Sequence, residues 1–234
     1  MLRGKRILAV VPARGGSKGI PLKNIRRLGG NTLVELVGKI IKETDFIDKA
    51  IVSTDHDKIA EFAKKGGLEV PFYRPAYLSG DLISDLEVLT HALKEMEKID
   101  DVIYDIVLML QPTSPFRTSQ NIKDAVNILV DNDADSVWTL SETDPKGHPD
   151  KQIIIKNNKI EFYTDKGNEI IARQQLTPTY HKNGIAYAIT RECLLVKKSI
   201  KGDKCIPLII EGYTPNIDSE IDIKFAEFLN QNKE

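Results

Sequence analysis

The chain has 234 residues, 41% hydrophobic and 29% charged, the balance of a soluble globular protein long enough to bury one sizeable core. Thirty-three Lys and Arg against 34 Asp and Glu leave a net charge of -1, which excludes a global field drawing the chain onto nucleic acid or an anionic membrane. Two cysteines, Cys193 and Cys205, exclude a disulfide scaffold or a four-ligand zinc site and point to a reducing cytoplasm, both reading as buried small hydrophobes.

Residues 7–11 form a continuous apolar run behind Arg3, Lys5 and Arg6, too short for a membrane span or a signal-peptide core, and predict a buried strand. A helix follows over 32–43, a strand over 50–53 and a helix over 57–65. The stretch 84–98 carries Leu86, Leu89, Leu93 and Met96 on one helical face, and 106–110 is another apolar strand. Thr32 with Glu35, and Ser84 with Glu87, have capping-box spacing, which marks two helix starts. Ser119 precedes a further helix, and 136–140 gives another strand, with Trp138 expected in the core. This alternation predicts a mostly parallel sheet with helices on both faces.

The pattern changes after Glu142. Residues 145–179 are polar, with 153–156 and 160–163 alternating on either side of Asn157-Asn158, which reads as a hairpin outside the main sheet. Strands return at 185–189 and 206–210. The helix over 219–229 is expected to turn Ile221, Phe225, Phe228 and Leu229 inward. A single domain over 1–234 follows, with 145–179 inserted.

In an open parallel sheet, ligands bind beyond the carboxyl ends of the strands. After the first strand comes Pro12-Ala13-Arg14-Gly15-Gly16-Ser17-Lys18-Gly19-Ile20-Pro21-Leu22-Lys23-Asn24, where glycines permit close backbone approach and Arg14, Lys18 and Lys23 supply positive charge, a composition suited to polyphosphate. Its spacing fits neither a Walker A loop nor a dinucleotide fingerprint, and a solvated basic turn is the alternative. The second strand ends in Ser53-Thr54-Asp55, where Asp55 is expected to cap the next helix. After the strand at 106–110, Gln111-Pro112-Thr113-Ser114-Pro115-Phe116-Arg117 is a proline-stiffened loop presenting an amide, two hydroxyls and a guanidinium. His56, His91, His148 and His181 show no metal-ligand spacing.

Together these segments, with Arg74-Pro75, Arg173-Gln174-Gln175, Tyr180 to Gly184 with Tyr187, and Ile217-Asp218-Ser219-Glu220-Ile221-Asp222, resemble the acylneuraminate cytidylyltransferases, or CMP-sialic acid synthetases, along effectively the whole chain. The resemblance implies a Rossmann-like α/β nucleotidyltransferase fold. It also implies a cytoplasmic homodimer in which an inserted arm, here 145–179, crosses to the partner. The implied reaction joins CTP to the anomeric 2-hydroxyl of a nine-carbon sugar acid, releases pyrophosphate and requires Mg2+.

By the same resemblance, Arg14, Lys18 and Lys23 neutralise the triphosphate and the amides of Gly15, Gly16 and Ser17 cradle it. Asn24 orients ribose or phosphate, Arg74 contacts the cytosine end, and Gln111 approaches the sugar and its reacting hydroxyl. Thr113 and Ser114 either bond the sugar or shape the loop. Arg173 and Lys151, with Gln174, reach from the arm to the sugar carboxylate, and Tyr187 walls the sugar pocket. The family supplies Asp-x-Asp to the metal, whereas this chain has Asn216-Ile217-Asp218, a loss of one negative charge. Asp218 is assigned to the metal with Asn216 beside it, and Asp222 to helix electrostatics. Two other readings stay open: a nucleotide-binding subunit without catalysis, suggested by Asn216, and a cytidylyltransferase for the eight-carbon acid Kdo.

Overall fold

The computed structural model describes residues 1–232. Its strands are β1 (Ile7–Pro12), β2 (Arg27–Leu28), β3 (Asn31–Thr32), β4 (Lys49–Ser53), β5 (Ile106–Met109), β6 (Ser136–Glu142), β7 (Ile153–Lys156), β8 (Lys159–Phe162), β9 (Tyr180–Thr190) and β10 (Cys205–Ile209). The helices are α1 (Leu33–Lys42), α2 (Asp57–Gly66), α3 (Asp85–Asp100), α4 (Ser119–Asp131), α5 (Arg191–Leu195) and α6 (Glu220–Gln231).

The apolar run at 7–11 becomes the middle of the molecule. Among the described residues, a six-stranded sheet runs in the order β10-β6-β9-β5-β1-β4. β1 is parallel to both β4 and β5, β10 is parallel to β6, and β9 alone runs antiparallel between β5 and β6. Because side chains alternate across a strand, Ile7, Ala9 and Val11 join one core, with Val34 and Val37 of α1, Ile59 of α2 and Ile122 and Val126 of α4. Leu8 and Val10 join the opposite one, with Leu89, Leu93 and Met96 of α3 and Leu194 of α5. Each such aliphatic side chain taken wholly out of water contributes about 1.5–3 kcal/mol, so the expected two-faced α/β sheet is held from both sides. None of the helices is long and apolar enough to cross a membrane among the described residues.

The helix starts are fixed as the spacing predicts. Thr32 and Ser84 each accept from the backbone N–H three residues on, and Glu35 and Glu87 accept in return from Thr32 and Ser84. α4 is capped by Thr118, one residue earlier than expected, with Asn121 as the reciprocal partner. α2 is capped by the His56 ring, not by Asp55.

Two further expectations change. β9 begins at Tyr180, because its first three residues are polar and carry no apolar signal, while they pair with Leu140, Ser141 and Glu142 of β6. On α6 the buried residues are Ile223 and Ala226, packed with Ile217 against Leu28 and Leu33. Ile221, Phe225 and Phe228 are exposed, Phe225 meeting Tyr213 edge-on at 5.3 Å and stacking on Phe228 at 6.4 Å. Trp138 is half-buried against Tyr187, its indole N–H donating to the Ile200 carbonyl at 3.0 Å. Cys193 is buried and Cys205 only partly so.

The insertion leaves the sheet as expected. β7 and β8 form a separate hairpin, with Asn157 and Asn158 both at positive φ in the turn. Direct pairing of Ile153 with Phe162 and of Ile155 with Ile160 puts four apolar side chains on one face, all exposed. The base of the insertion is tied down by Thr143 N–H donating to the Thr179 carbonyl and by the buried His148 ring against the Thr177 carbonyl.

Candidate active site

The carboxyl ends of β1 and β5 open into a cleft of about 530 Å³, where the topology of a mostly parallel sheet puts a ligand. Antiparallel β9 delivers Asn183-Gly184 to the same edge, where Gln111 N–H donates to the Gly184 carbonyl. The loop after β1 is moored to its neighbours. Ala13 N–H donates to Ser53, Gly15 N–H to the Asp55 carboxylate at 2.8 Å, and Asn24 Nδ2 to the Arg14 carbonyl at 3.0 Å. Asp55 thus fastens the loop after β1. Of the amides expected to form a cradle, those of Gly15 and Ser17 are already bonded, and Gly16 N–H alone takes no acceptor among the described residues.

The segment before α6 closes the other side. Ile217 N–H donates to the Thr113 carbonyl, and Gly19 lies so close to the Asp218 carbonyl that a Cβ there would come within 2.5 Å of it. Only glycine lets the two backbones approach in this way. Lys23 Nζ then reaches Asp218 Oδ1 at 2.7 Å, and Asn216 Nδ2 donates to Asp218 Oδ2 at 3.1 Å. Asp218 does not cap α6. Ser219 takes that place, and its N–H and hydroxyl donate to Asp222, whose carboxyl is held below the usual range although burial opposes this.

Ten of the residues singled out from the sequence therefore share one cleft: Arg14, Ser17, Lys18, Lys23, Asn24, Arg74, Gln111, Thr113, Asn216 and Asp218. Others do not reach it. Ser114 is buried behind the loop and donates to the Asn183 carbonyl at 2.6 Å, a bond that helps shape the loop. Tyr187 does not wall the cleft: it is 3% exposed, and its hydroxyl accepts from Gly184 N–H at 2.9 Å. There it supports Gly184, whose φ of +71 leaves room for Gln111 and Ser114 where a Cβ would clash with both. Lys151, Arg173 and Gln174 stand exposed on the insertion and do not line their own chain's cleft.

The Arg117 guanidinium is turned inward as well. It is buried and donates to the carbonyls of Gln111, Gly184 and Ile185, and desolvation pushes it down to about 9. It clamps the Gln111 loop to β9. Arg117→Met removes a donor from three carbonyls, of which those of Gln111 and Gly184 keep a backbone N–H, and should cost on the order of 2 kcal/mol, read as a lower denaturation midpoint in urea.

Two acidic residues of the cleft were missed. Asp81 binds Arg14 at 2.9 Å and Lys18 at 2.7 Å, and the Lys18 hydrogen bond is the main cause that holds its carboxyl below the usual range. Asp85, at the start of α3, lines the same cleft, as do Leu78, Ile83 and Val88. The available signal is their position, Asp81 just before the Ser84–Glu87 capping box and Asp85 within it.

The cytidylyltransferase family model matches residues 8–233. The chain belongs to this family. Among curated relatives, the CMP-N,N'-diacetyllegionaminic acid synthase of Legionella pneumophila is 32% identical over 94% of this chain and 94% of its own. The pseudaminic acid cytidylyltransferase of Campylobacter jejuni is 29% identical over 95% of each. Among solved structures, a CMP:2-keto-3-deoxy-manno-octonic acid synthetase complexed with CTP superposes with a TM-score of 0.72 at 14% identity, covering 98% of this chain and 100% of that one, a likeness of fold. As a cytidylyltransferase the chain is a nucleotidyltransferase, and the expected α/β nucleotidyltransferase fold is the one observed.

The electrostatics of this cytidylyltransferase cleft suit such chemistry. Arg14, Lys18, Lys23 and Arg74 line one space, and two of its carboxylates, Asp81 and Asp218, are ion-paired with them. Arg74 is buried and fixed by Ser53, and desolvation lowers its guanidinium to about 10.

Proposed function

We propose that this cytidylyltransferase transfers the cytidylyl group of CTP to the anomeric 2-hydroxyl of a nonulosonic acid and releases pyrophosphate. The observation that carries the reading is the convergence, in one cleft, of the Arg14, Lys18 and Lys23 cations with Asp218 and Gln111. Nucleotidyl transfer needs reactants in line and developing charge neutralised, with little covalent help from the protein. Arg14 and Lys18 exchange Asp81 for phosphate oxygens. Lys23 receives charge on the departing pyrophosphate. Arg74 holds the nucleoside end, Asn24 presents its free amide oxygen to ribose or phosphate, and Gln111, held by Arg117 and Gly184, aligns the attacking hydroxyl.

Mg2+ asks for hard oxygens, and the donor set fits. Asn216 Nδ2 is turned onto Asp218, which leaves its amide oxygen beside that carboxylate. Asp218 and Asn216 would hold the ion, with phosphate oxygens and water completing its shell. When bound, it adds positive charge at the phosphates.

The arm extends the proposal to a homodimer. The exposed Ile153, Ile155, Ile160 and Phe162 form one apolar face, and Arg173, Gln174 and Lys151 are free of their own cleft, so they serve the cleft of a second copy. An Arg is well suited to grip the sugar carboxylate. CTP is drawn from the cytoplasmic pool, where we place the reaction. Kdo as acceptor rests on likeness of fold alone, whereas two relatives similar in sequence are named for legionaminic and pseudaminic acids.

The test is an omission series. Pyrophosphate release is expected only when CTP, Mg2+ and one of N-acetylneuraminate, legionaminate or pseudaminate are all present. Absence of release with every acid would reject the reading and leave a binding subunit.

A further inference from the structure

The insertion leaves the sheet on two segments and has to keep its shape beyond the point where strand pairing stops. Pairing of β6 with β9 ends at Glu142 opposite Tyr180, with one further rung from Thr143 N–H to the Thr179 carbonyl. Rungs of this kind recur every second residue in an antiparallel pair, so the next would run from residue 145 to the Thr177 carbonyl. Residue 145 is a proline and has no N–H to give. The Thr177 carbonyl is served instead by the ring of His148, whose Nε2 stands 2.8 Å from it. Past the Thr143 rung, this is the single hydrogen bond that joins residues 144–152 to residues 172–178 among the described residues.

The other ring nitrogen is also engaged. Nδ1 accepts from Asp150 N–H at 3.1 Å, while the Asp150 carboxylate, 3.9 Å from Nδ1, takes the Thr164 hydroxyl at 2.7 Å. A backbone N–H can only donate, so Nδ1 is the bare nitrogen and Nε2 carries the hydrogen given to Thr177. The ring is 5% exposed with both nitrogens paired, as burial requires. It thereby fixes both segments that carry the arm's polar residues. On the outgoing side it caps the turn Pro149–Lys151, where Lys151 N–H donates to the His148 carbonyl at 2.9 Å. On the returning side it holds Thr177, just after the turn Arg173–Gln175.

We propose that His148 is a positioning residue for the sugar acid: by standing in for the rung that Pro145 cannot make, it sets Lys151 and Arg173 at the separation from which both meet one carboxylate. The assignment rests on the role proposed above for the arm and deepens it. His148 touches neither nucleotide nor acid; it acts through the spacing of two other side chains. A contact held 1 Å out of place forfeits much of a charge-assisted bond, so the clasp should be read in the affinity for the acid and not in that for CTP.

The two bonds of the ring can be removed separately. His148→Gln sets an amide Nε2 near the place of the ring Nε2 and keeps the donor to Thr177, whereas His148→Asn keeps an acceptor for Asp150 N–H and falls short of Thr177. Affinity for N-acetylneuraminate, legionaminate and pseudaminate is measured by calorimetry at saturating CTP with Mg2+ withheld, and KM for CTP and for each acid in turnover with Mg2+. His148→Asn should weaken the best-bound acid about tenfold, in Kd and in KM, and leave CTP within about twofold, while His148→Gln should regain most of the loss. Nitrogen-15 NMR of the wild-type ring should show the hydrogen on Nε2. Acid affinity unchanged in His148→Asn, an equal loss for acid and CTP, no recovery in His148→Gln, or a hydrogen on Nδ1 would overturn the proposal. If the wild type turns over and His148→Asn matches it, the positioning role alone falls. The expected affinities in a protein that releases no pyrophosphate would support the clasp while sinking the transfer reaction, and a wild type that binds none of the acids would overturn both.

Discussion

Asp218→Asn should lower kcat by about a thousandfold at saturating CTP and sugar acid, while the protein stays folded. Asp218 is exposed and is not the cap of α6, so its charge is dispensable to the fold. In the cleft that charge is scarce. The neighbouring position is Asn216, and the other paired carboxylate, Asp81, is committed to Arg14 and Lys18. A thousandfold loss corresponds to about 4 kcal/mol of transition-state stabilisation, within what a metal contributes to a phosphoryl group. Raising Mg2+, or supplying Mn2+, which binds oxygen and nitrogen ligands more tightly, should restore part of the rate. The converse variant, Asn216→Asp, adds a second carboxylate and should lower the Mg2+ concentration needed for half-maximal rate. If Asp218→Asn kept both its rate and its Mg2+ dependence, the metal assignment would be wrong. If Asn216→Asp created activity from none, the natural chain would be a binding subunit.

Arg173→Ala should lower kcat/KM for the sugar acid by about a hundredfold with little change in the KM for CTP, the loss expected for one charge-assisted contact to a carboxylate. Arg14→Ala should do the reverse. The arm's geometry allows a sharper form of this test. Arg173 is exposed and absent from the cleft of its own chain, so a working site would combine Arg14 of one protomer with Arg173 of its partner. Subunits bearing Arg14→Ala and subunits bearing Arg173→Ala, each nearly inactive alone, should recover activity when dissociated and re-annealed together, since mixed dimers then hold one intact site. No recovery in verified mixed dimers would show that Arg173 acts within its own chain or not at all.

The parts of this arrangement legible in the sequence are those written locally. The unbroken apolar run of β1, the capping boxes at Thr32 and Ser84 and the Asn157-Asn158 turn each specify a short stretch by backbone chemistry alone. The strand ends then locate the cleft, because a parallel sheet leaves one edge for ligands. Direction of side chains was less legible. Arg117 and Ser114 occupy a loop of polar residues like Gln111 and Thr113, yet backbone carbonyls of β9, remote in sequence, draw them inward. Tyr187, expected at the sugar, is buried and accepts a hydrogen bond from Gly184 N–H. On α6 the aromatic stripe at 225 and 228 matches helical periodicity as well as Ile223 and Ala226 do, and only contact with Leu28 and Leu33 decides which face is covered. Asp81 and Asp85 carried no pattern of their own; they matter because the chain returns them to the loop after β1.

The near-neutral total charge conceals this separation. Arg14, Lys18, Lys23 and Arg74 are gathered at one sheet edge, with Asp81 and Asp218 paired against them, while Arg173 is carried out on the arm. Most directly decisive is the product formed when the protein is mixed with CTP, Mg2+ and a competing set of N-acetylneuraminate, legionaminate, pseudaminate and Kdo, identified by mass and by phosphorus NMR. A CMP phosphodiester of a nine-carbon acid, together with pyrophosphate, is the predicted result. Formation of CMP-Kdo alone, or of no nucleotide sugar by folded protein, would contradict it.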